Sequence, residues 1–469
     1  VSKNFNSILW LLTEKVGGTF ISLISFVIFA VKLSPNEIGI ATIALSISLG
    51  FGQVLSSFYQ DPIVCKKKLK RKDIYAILNG SVIASSLLII CIIFFSYLIL
   101  GFSDLSYLIC ISSLVIPLLS LNSIFMGVYR RNGQFKSMSR SLLMAKFSSS
   151  IIAVTSVFYG VGNYSLILQI LLLEFFTLIF FLNVTKHRVK KIIDINIYYK
   201  IIKLGIYIAI RKLSWEGYIK LIPIVIGYYL GAATVGAYAF AWRVIDMPRT
   251  AFSSGAISFV LPFLSKGTNR NATKSLFFEA NKTTMIFLCP FFIGLAFITE
   301  PLITFFFGDK WLESIPIIQG LCLFCILSFS RMYIPALFMT INMPQNTLKT
   351  DVFSSVIAIV FCILFIDFIG VYAVVASFYL KVFINYPITF VEVKKNFDIG
   401  FFEYFTPFIS PGISTIFMSL VLSLISNFLY QNELIKMVLL ILGGACSYII
   451  AFYIHDKKTV SNFINLVRS

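Results

Sequence analysis

Apolar stretches long enough to cross a lipid bilayer follow one another from end to end of this chain. We count about fourteen, each near the ~20 residues that a helix needs to span the hydrocarbon core. No water is available there to satisfy backbone amides, so only helices or a closed barrel can span it. The stretches are continuous rather than alternating with a period of two, which excludes a transmembrane barrel. The fold class is therefore all-α, a polytopic membrane protein. Composition agrees: 58% of the 469 residues are hydrophobic and 13% are charged, against about 25% charged in a soluble domain. The first stretch is too long for a signal-peptide core and lacks a small-residue cleavage site, so we read it as part of the mature chain.

Charge then gives the orientation. The net charge is +19, and the cations lie in alternate loops. One side takes the run KKKLKRK at 66–72, Arg130, Arg131, Lys136, Arg140, the cations between 186 and 203, and Lys394 and Lys395. The other side sets Lys32 and Lys310 among Glu37, Asp104, Asp309, Glu313, Asp367 and Glu433. The positive-inside rule then expects both termini in the cytoplasm. The same distribution argues against nucleic acid as a partner, because the basic runs serve as topology signals.

An internal repeat organises the chain. LSPNEIGIATIA at Leu33 to Ala44 matches LGAATVGAYAFA at Leu230 to Ala241. The expected division is an N-terminal six-helix lobe over 1–199, a second six-helix lobe over 200–398 and an extra helix pair over 399–469. Six is even, so the two copies point the same way across the membrane. Parallel repeats of this kind make two lobes related by an axis along the membrane normal, with substrate between them near the midplane. The extra pair either packs against the lobes or extends the groove.

No enzyme motif is present: there is no GxxxxGK[ST], HExxH or GxSxG. The loops expected on the outer side are short, which argues against a glycan-processing enzyme with a large catalytic loop. Cys322 and Cys325 form a CxxC inside an apolar run with no second pair, and are read as packed side chains rather than a metal site. His187 and His455 sit near cationic loops without ligand spacing. Asn271-Ala272-Thr273 fits a glycan acceptor but falls on the cytoplasmic side. No cofactor or metal is expected.

What remains is charge at depth. The stretch from Gly205 to Thr250 reads as two membrane-crossing helices, over 201–230 and 234–264, joined by a tight turn at Gly231-Ala232-Ala233. It carries Arg211, Lys212, Glu216, Lys220, Arg243, Asp246 and Arg249. A charge at bilayer depth costs roughly 2.5 to 3.5 kcal/mol on insertion scales, so some of these face protein or water. Arg243, Asp246 and Arg249 stand at i, i+3, i+6 and share one face. Lys212/Glu216 and Glu216/Lys220 are i,i+4 neighbours that would neutralise each other. Elsewhere lie Glu14, Lys15, Lys146, Glu174, Lys282, Arg331, Asp351, Lys381 and Lys436. Glu14, Lys15, Arg211, Lys212, Arg249, Lys282, Asp351 and Lys436 are near enough to an interface to snorkel. Lys220, Arg243, Asp246, Arg331 and Lys381 lie nearer mid-helix and point to a cavity. Cations outnumber anions, and arginine matches phosphate oxygens with a bidentate fork, so the cavity suits an anion. A multidrug or cation antiporter would need the opposite sign. Tyr218, Tyr228, Tyr229, Tyr238 and Trp242 share the hairpin and offer faces for sugar rings.

Three motifs then carry a resemblance: LSPNEIG in the first hairpin, IGYYLGAATVGAYAFAWRV in the seventh–eighth, and FFFGDKWLESIPIIQ after the ninth helix. In register with the repeat, they make the chain similar to polysaccharide flippases of the multidrug/oligosaccharidyl-lipid/polysaccharide superfamily. The resemblance implies a fold like that of the multidrug and toxin extrusion transporters. It also implies alternating-access translocation of an undecaprenyl-pyrophosphate-linked oligosaccharide across the bacterial inner membrane, for O-antigen or other surface polysaccharide. The cations Lys220, Arg243 and Arg331, with Arg211, Arg249 and Lys381, would then hold pyrophosphate or an anionic glycan. Glu14, Glu216 or Asp246 would couple to protons or sodium. Membrane lipids, a polysaccharide polymerase and a chain-length regulator are the implied partners. In one place the chain departs from the pattern. Many relatives have an acid just before the I-G of the seventh helix, where this chain has Lys220-Leu221-Ile222-Pro223.

Overall fold

The structure is a computed structural model. It describes residues 2–66, 68–185, 194–266, 270–341, 345–427, 432–457 and 459. The side chains of Arg211, of 254–266 and of Asn271, together with His187 and the cations of 186–191, lie outside the described residues. The described residues are almost wholly helical, and they fall into two compact units, Val1–Ala239 and Phe240–Ser469.

The first unit holds α1 (Ser2–Lys32), α2 (Pro35–Ser57), α3 (Gln60–Cys65), α4 (Arg71–Leu100), α5 (Asp104–Ser113) and α6 (Val115–Arg131). It continues with α7 (Phe135–Phe158), α8 (Tyr164–Thr185), α9 (Ile195–Lys212), α10 (Tyr218–Tyr229) and the start of α11 (Ala232–Lys266). α2 begins as its sequence dictates. Pro35 occupies the first turn, the Ser34 hydroxyl accepts from the Glu37 amide, and Glu37 accepts from the Ser34 amide at 2.8 Å. α2 packs on α5 and α6, α7 lies between α1 and α8, and α4 packs on α5 and α6. Small polar side chains let these helices approach. Ser48 of α2 and Ser112 of α5 share a hydrogen bond of 2.6 Å, and Ser112 also donates to the Ala44 carbonyl.

α9 and α10 join through a π turn at Leu213–Gly217, so the helix runs on from Ile195 to Tyr229. It packs against α2, α3 and α4. For this reason the contact boundary falls at 239/240, whereas the second copy of the sequence repeat starts at 200. The π turn includes Glu216, for which i,i+4 pairing with Lys212 and Lys220 was expected. Lys212 pairs instead with Asp61 of α3, at 3.3 Å.

The turn between α10 and α11 is tighter than expected. Only Leu230 and Gly231 lie outside the helices, with Gly231 at φ 86°, where a side chain would be strained. Here the repeat becomes visible as packing. Gly39 and Gly236 are equivalent positions of the two copies, as are Pro35 and Ala232. A Cβ on Gly39 would lie 1.7 Å from the Ala232 oxygen, and one on Gly236 would lie 1.8 Å from the Pro35 oxygen. The contact is reciprocal, as a local two-fold requires, and only glycine permits it.

The second unit holds the rest of α11, α12 (Arg270–Phe306), α13 (Ser314–Phe329), α14 (Ile334–Thr340), α15 (Gln345–Ile369), α16 (Tyr372–Phe397), α17 (Phe401–Ser426) and α18 (Glu433–His455). α12 packs on α13, α17 and α18, and α16 on α13 and α15. The extra helix pair is thus docked on α12. The tryptophan of the FFFGDKW motif is structural: Trp311 is fully buried and stacks on Phe240, with ring centroids 4.5 Å apart. Cys322 and Cys325 are likewise buried within α13.

Among the described residues, twelve helical spans are long and apolar enough to cross a membrane, against fourteen expected. The remaining two expected spans are α9–α10 and α11, both long enough to cross and both carrying the charges of the 205–250 hairpin. This is a multi-pass helical membrane protein.

Candidate functional site

The site candidates in the second unit form two clusters of the same composition. On α11, Asp246 accepts from the Nε of Arg249 at 2.9 Å and lies within Coulombic range of Arg243. The helical spacing put these three on one face, and the structure brings them together. The Arg249 guanidinium also sits over the Trp242 ring, 5.8 Å from its centroid. Trp242 in turn stacks on Phe378 of α16 at 5.2 Å, and Phe378 packs against Phe324 of α13 at 4.9 Å. Aromatic contacts therefore link α11 to α16 and, through Phe378, to α13.

The second cluster is built on a broken helix. α13 stops at Phe329, residues 330–333 form turns, and α14 resumes at Ile334. A break within a span leaves carbonyls that lipid cannot satisfy, so protein groups must do so. Tyr386 of α16 donates to the Leu327 carbonyl at 3.1 Å, and Tyr404 of α17 donates to the Ser330 carbonyl at 3.0 Å. Arg331 projects from the break. Its Nη2 donates to Thr389 Oγ1 at 2.8 Å and lies 4.0 Å from Asp351 Oδ1, while its buried Nε has no hydrogen-bond partner among the described residues. Lys381 is 5% exposed and lies within Coulombic range of both Asp351 and Arg331. Each cluster is thus one carboxylate between two cations, with a formal charge of +1 apiece. Asp351, near enough to a helix end to snorkel, keeps 35% of its side chain exposed and lies 4.0 Å from Arg331.

Beside the break is a pocket of about 520 Å³ whose walls include Tyr386, Thr389, Phe390, Phe401, Tyr404 and Phe405. A longer apolar groove of about 940 Å³ runs between α12 and α18, past Phe291, Gly294, Gly444, Tyr448 and Phe452.

The other predicted residues lie in the first unit. Lys220 is on α10, with its stem against Gly50 of α2. Glu216 lies in the π turn, a distortion common at functional positions. Glu14 is half-buried on α1, within Coulombic range of Lys15, Lys146 and Arg130. The side chain of Arg211 is outside the described residues. Sequence reading placed Glu174 at depth but gave it neither a role nor a partner. Glu174 of α8 accepts from Asn122 of α6 at 2.7 Å. The signal was available, since Glu174 stands at the centre of its apolar run.

The arrangement of these helices is shared with solved membrane proteins. The fold is similar to that of the lipid II flippase MurJ in an inward closed conformation, with a TM-score of 0.78, 19% identity, and coverage of 97% of this chain and all of that one. It is also similar to an inward-facing multidrug transporter of the multidrug/oligosaccharidyl-lipid/polysaccharide superfamily, with a TM-score of 0.60, 14% identity, and coverage of 81% and 94%. Residues 28–316 match the family described as "polysaccharide biosynthesis protein", and the chain belongs to that family. Among curated relatives, the succinoglycan biosynthesis transport protein ExoT of Rhizobium meliloti is 21% identical over 67% of this chain and 64% of its own length. The teichuronic acid biosynthesis protein TuaB of Bacillus subtilis is 29% identical over 22% of each chain. The matches thus span less than two thirds of these relatives' own lengths.

Proposed function

We propose that the chain is a flippase for a polyprenyl-pyrophosphate-linked oligosaccharide. In this reading it moves that lipid from the cytoplasmic to the outer leaflet of the bacterial inner membrane, with both termini in the cytoplasm, for assembly of O-antigen or another surface polysaccharide. The observation that carries the reading is the pair of net-positive clusters, Arg243/Asp246/Arg249 and Arg331/Asp351/Lys381, on membrane-embedded helices. Keeping such groups in a bilayer is costly, and excess positive charge favours an anionic ligand over a cationic drug. A pyrophosphate would accept from the guanidinium groups. The aromatic pocket beside Arg331 suits a sugar ring, and the α12–α18 groove is apolar enough for an isoprenoid tail. The family membership and the roles named for ExoT and TuaB, in succinoglycan and teichuronic acid biosynthesis, support a polysaccharide-assembly function. The cycle would be alternating access, without bond-making chemistry and driven by a proton or sodium gradient. A polymerase and a chain-length regulator would act on the product.

The test is glycan export in a host lacking its own flippase. Arg243→Ala and Arg331→Ala should each lower surface glycan at least about tenfold, the equivalent of one lost charge-assisted contact of roughly 1.5 to 3 kcal/mol. Arg130→Ala, at the end of α6, should leave it unchanged. Intact export by all three would remove the cationic clusters from the mechanism.

A further inference from the structure

One acid of the first unit, Glu174, stands at mid-helix. It is residue eleven of the 22 in α8, about 15 Å from either end of the helix at 1.5 Å per residue. Asn122 Nδ2 donates both to its Oε2, at 2.7 Å, and to its backbone carbonyl, at 2.8 Å. Among the described residues no cation pairs with it, although an ionised carboxylate at this depth needs one.

The elements packed on α8 are α7, α6, α2 and α5, and their titratable groups point elsewhere. On α7, Lys146 lies against Gly18 of α1, Lys136 sits over Trp10, and Arg140 is exposed. On α6, Tyr129 donates to the Phe181 carbonyl, Arg131 donates to the Ile63 carbonyl, and Arg130 is two turns beyond Asn122. Glu37 of α2 is held in its capping box with Ser34. On α5, Asp104 is in the first turn, Tyr107 packs on Tyr97, and Cys110 lies near Tyr97.

A second observation concerns the amide. Asn122 Oδ1 is buried and, among the described residues, has no hydrogen-bond donor. A carboxylate cannot supply one, since it only accepts. A carboxylic acid can. Protonated glutamic acid and a primary amide are complementary, with one N–H···O and one O–H···O bond between them. A proton on Glu174 thus removes the uncompensated charge and supplies the missing donor together.

We propose that Glu174 binds a proton in this conformation and releases it in another. The Glu174–Asn122 pair is then the proton-responsive element of the first unit. This rests on the transporter reading above, and assigns its coupling to a residue outside the set Glu14, Glu216 and Asp246. On deprotonation the proton passes to water, and the ionised carboxylate must leave its apolar surroundings or find a cation, which disfavours the present packing of α6 on α8.

Infrared difference spectroscopy on the purified full chain, stepped in pH, reads the proton directly. The carbonyl band of a protonated, half-buried acid should be present in the wild type and lost in Glu174→Gln, which keeps the acceptor for Asn122. Identical spectra for the two would overturn the proposal. Should Glu174→Gln fail to fold, Asn122→Leu serves: the band should shift in frequency without disappearing, and an unshifted band overturns it. In the export assay, Glu174→Gln should lose the pH dependence that the wild type shows, and a wild-type profile would overturn the coupling role. Failure of the wild-type chain to support export at all would sink the flippase reading, while the infrared result would still stand.

Discussion

Replacing Gly39 by alanine should push α2 and α11 apart at their N-terminal ends. The added methyl would start 1.7 Å from the Ala232 oxygen, and an ordinary carbon–oxygen contact is about 3.3 Å. Backbone cannot swing aside as a long side chain can, so the helices must separate by about 1.5 Å there. Overpacking of this kind costs about 1 to 3 kcal/mol. The reciprocal contact of Gly236 with Pro35 would be lost in the same movement. That cost is a shift of about 5- to 150-fold against this arrangement. Two measurements on the purified chain check it: the thermal unfolding midpoint in detergent, and amide hydrogen exchange over 35–40 and 232–237. Gly39→Ala should lower the midpoint and speed exchange in both segments together. Gly236→Ala should do the same, and the double variant should cost less than the two singles combined, because one separation relieves both clashes. Wild-type values in both assays would refute the reasoning. So would faster exchange confined to the mutated helix.

Tyr404→Phe removes the donor to the Ser330 carbonyl. It should destabilise the chain by about 1 to 3 kcal/mol, read as a lower unfolding midpoint, because a buried carbonyl is left without a partner. Asp456, just past α18, pairs with Lys282 of α12 at 2.5 Å. Burial pushes its carboxyl up, but hydrogen bonds from Lys282 and Thr459 outweigh this and hold it below its ordinary value of 3.8. A group with a depressed folded-state value stabilises the fold above its ordinary range and loses that contribution as pH falls. Unfolding midpoints of wild type and Asp456→Asn should therefore differ at neutral pH and converge below about pH 4. A constant difference would argue against the ion pair.

The charge clusters show where reading the sequence stops. The i, i+3, i+6 spacing was enough to place Arg243, Asp246 and Arg249 on one face, because helical periodicity is local. Nothing local could bring Arg331, Asp351 and Lys381 together, since they come from three elements and meet only because α13 breaks beside α16. For Asp351 the distance from the helix end was legible, but its neighbour Arg331 was not. Lys212 was expected to pair with Glu216 and pairs with Asp61 of α3, a partner on another helix that spacing along one helix does not show.

The sequence by itself determined that the chain is helical and crosses the membrane many times. That follows from the length and continuity of its apolar runs, since unsatisfied backbone is intolerable in lipid. It also determined the repeat, whose glycines proved to be points of backbone contact. Only the tertiary structure decided that α9 and α10 pack with the first six spans, and that α13 is interrupted and capped by two tyrosines. Only there do Glu174 and Asn122 meet across α8 and α6. Periodicity records which residues share a face, but partners between helices depend on rotation and depth, which packing alone sets.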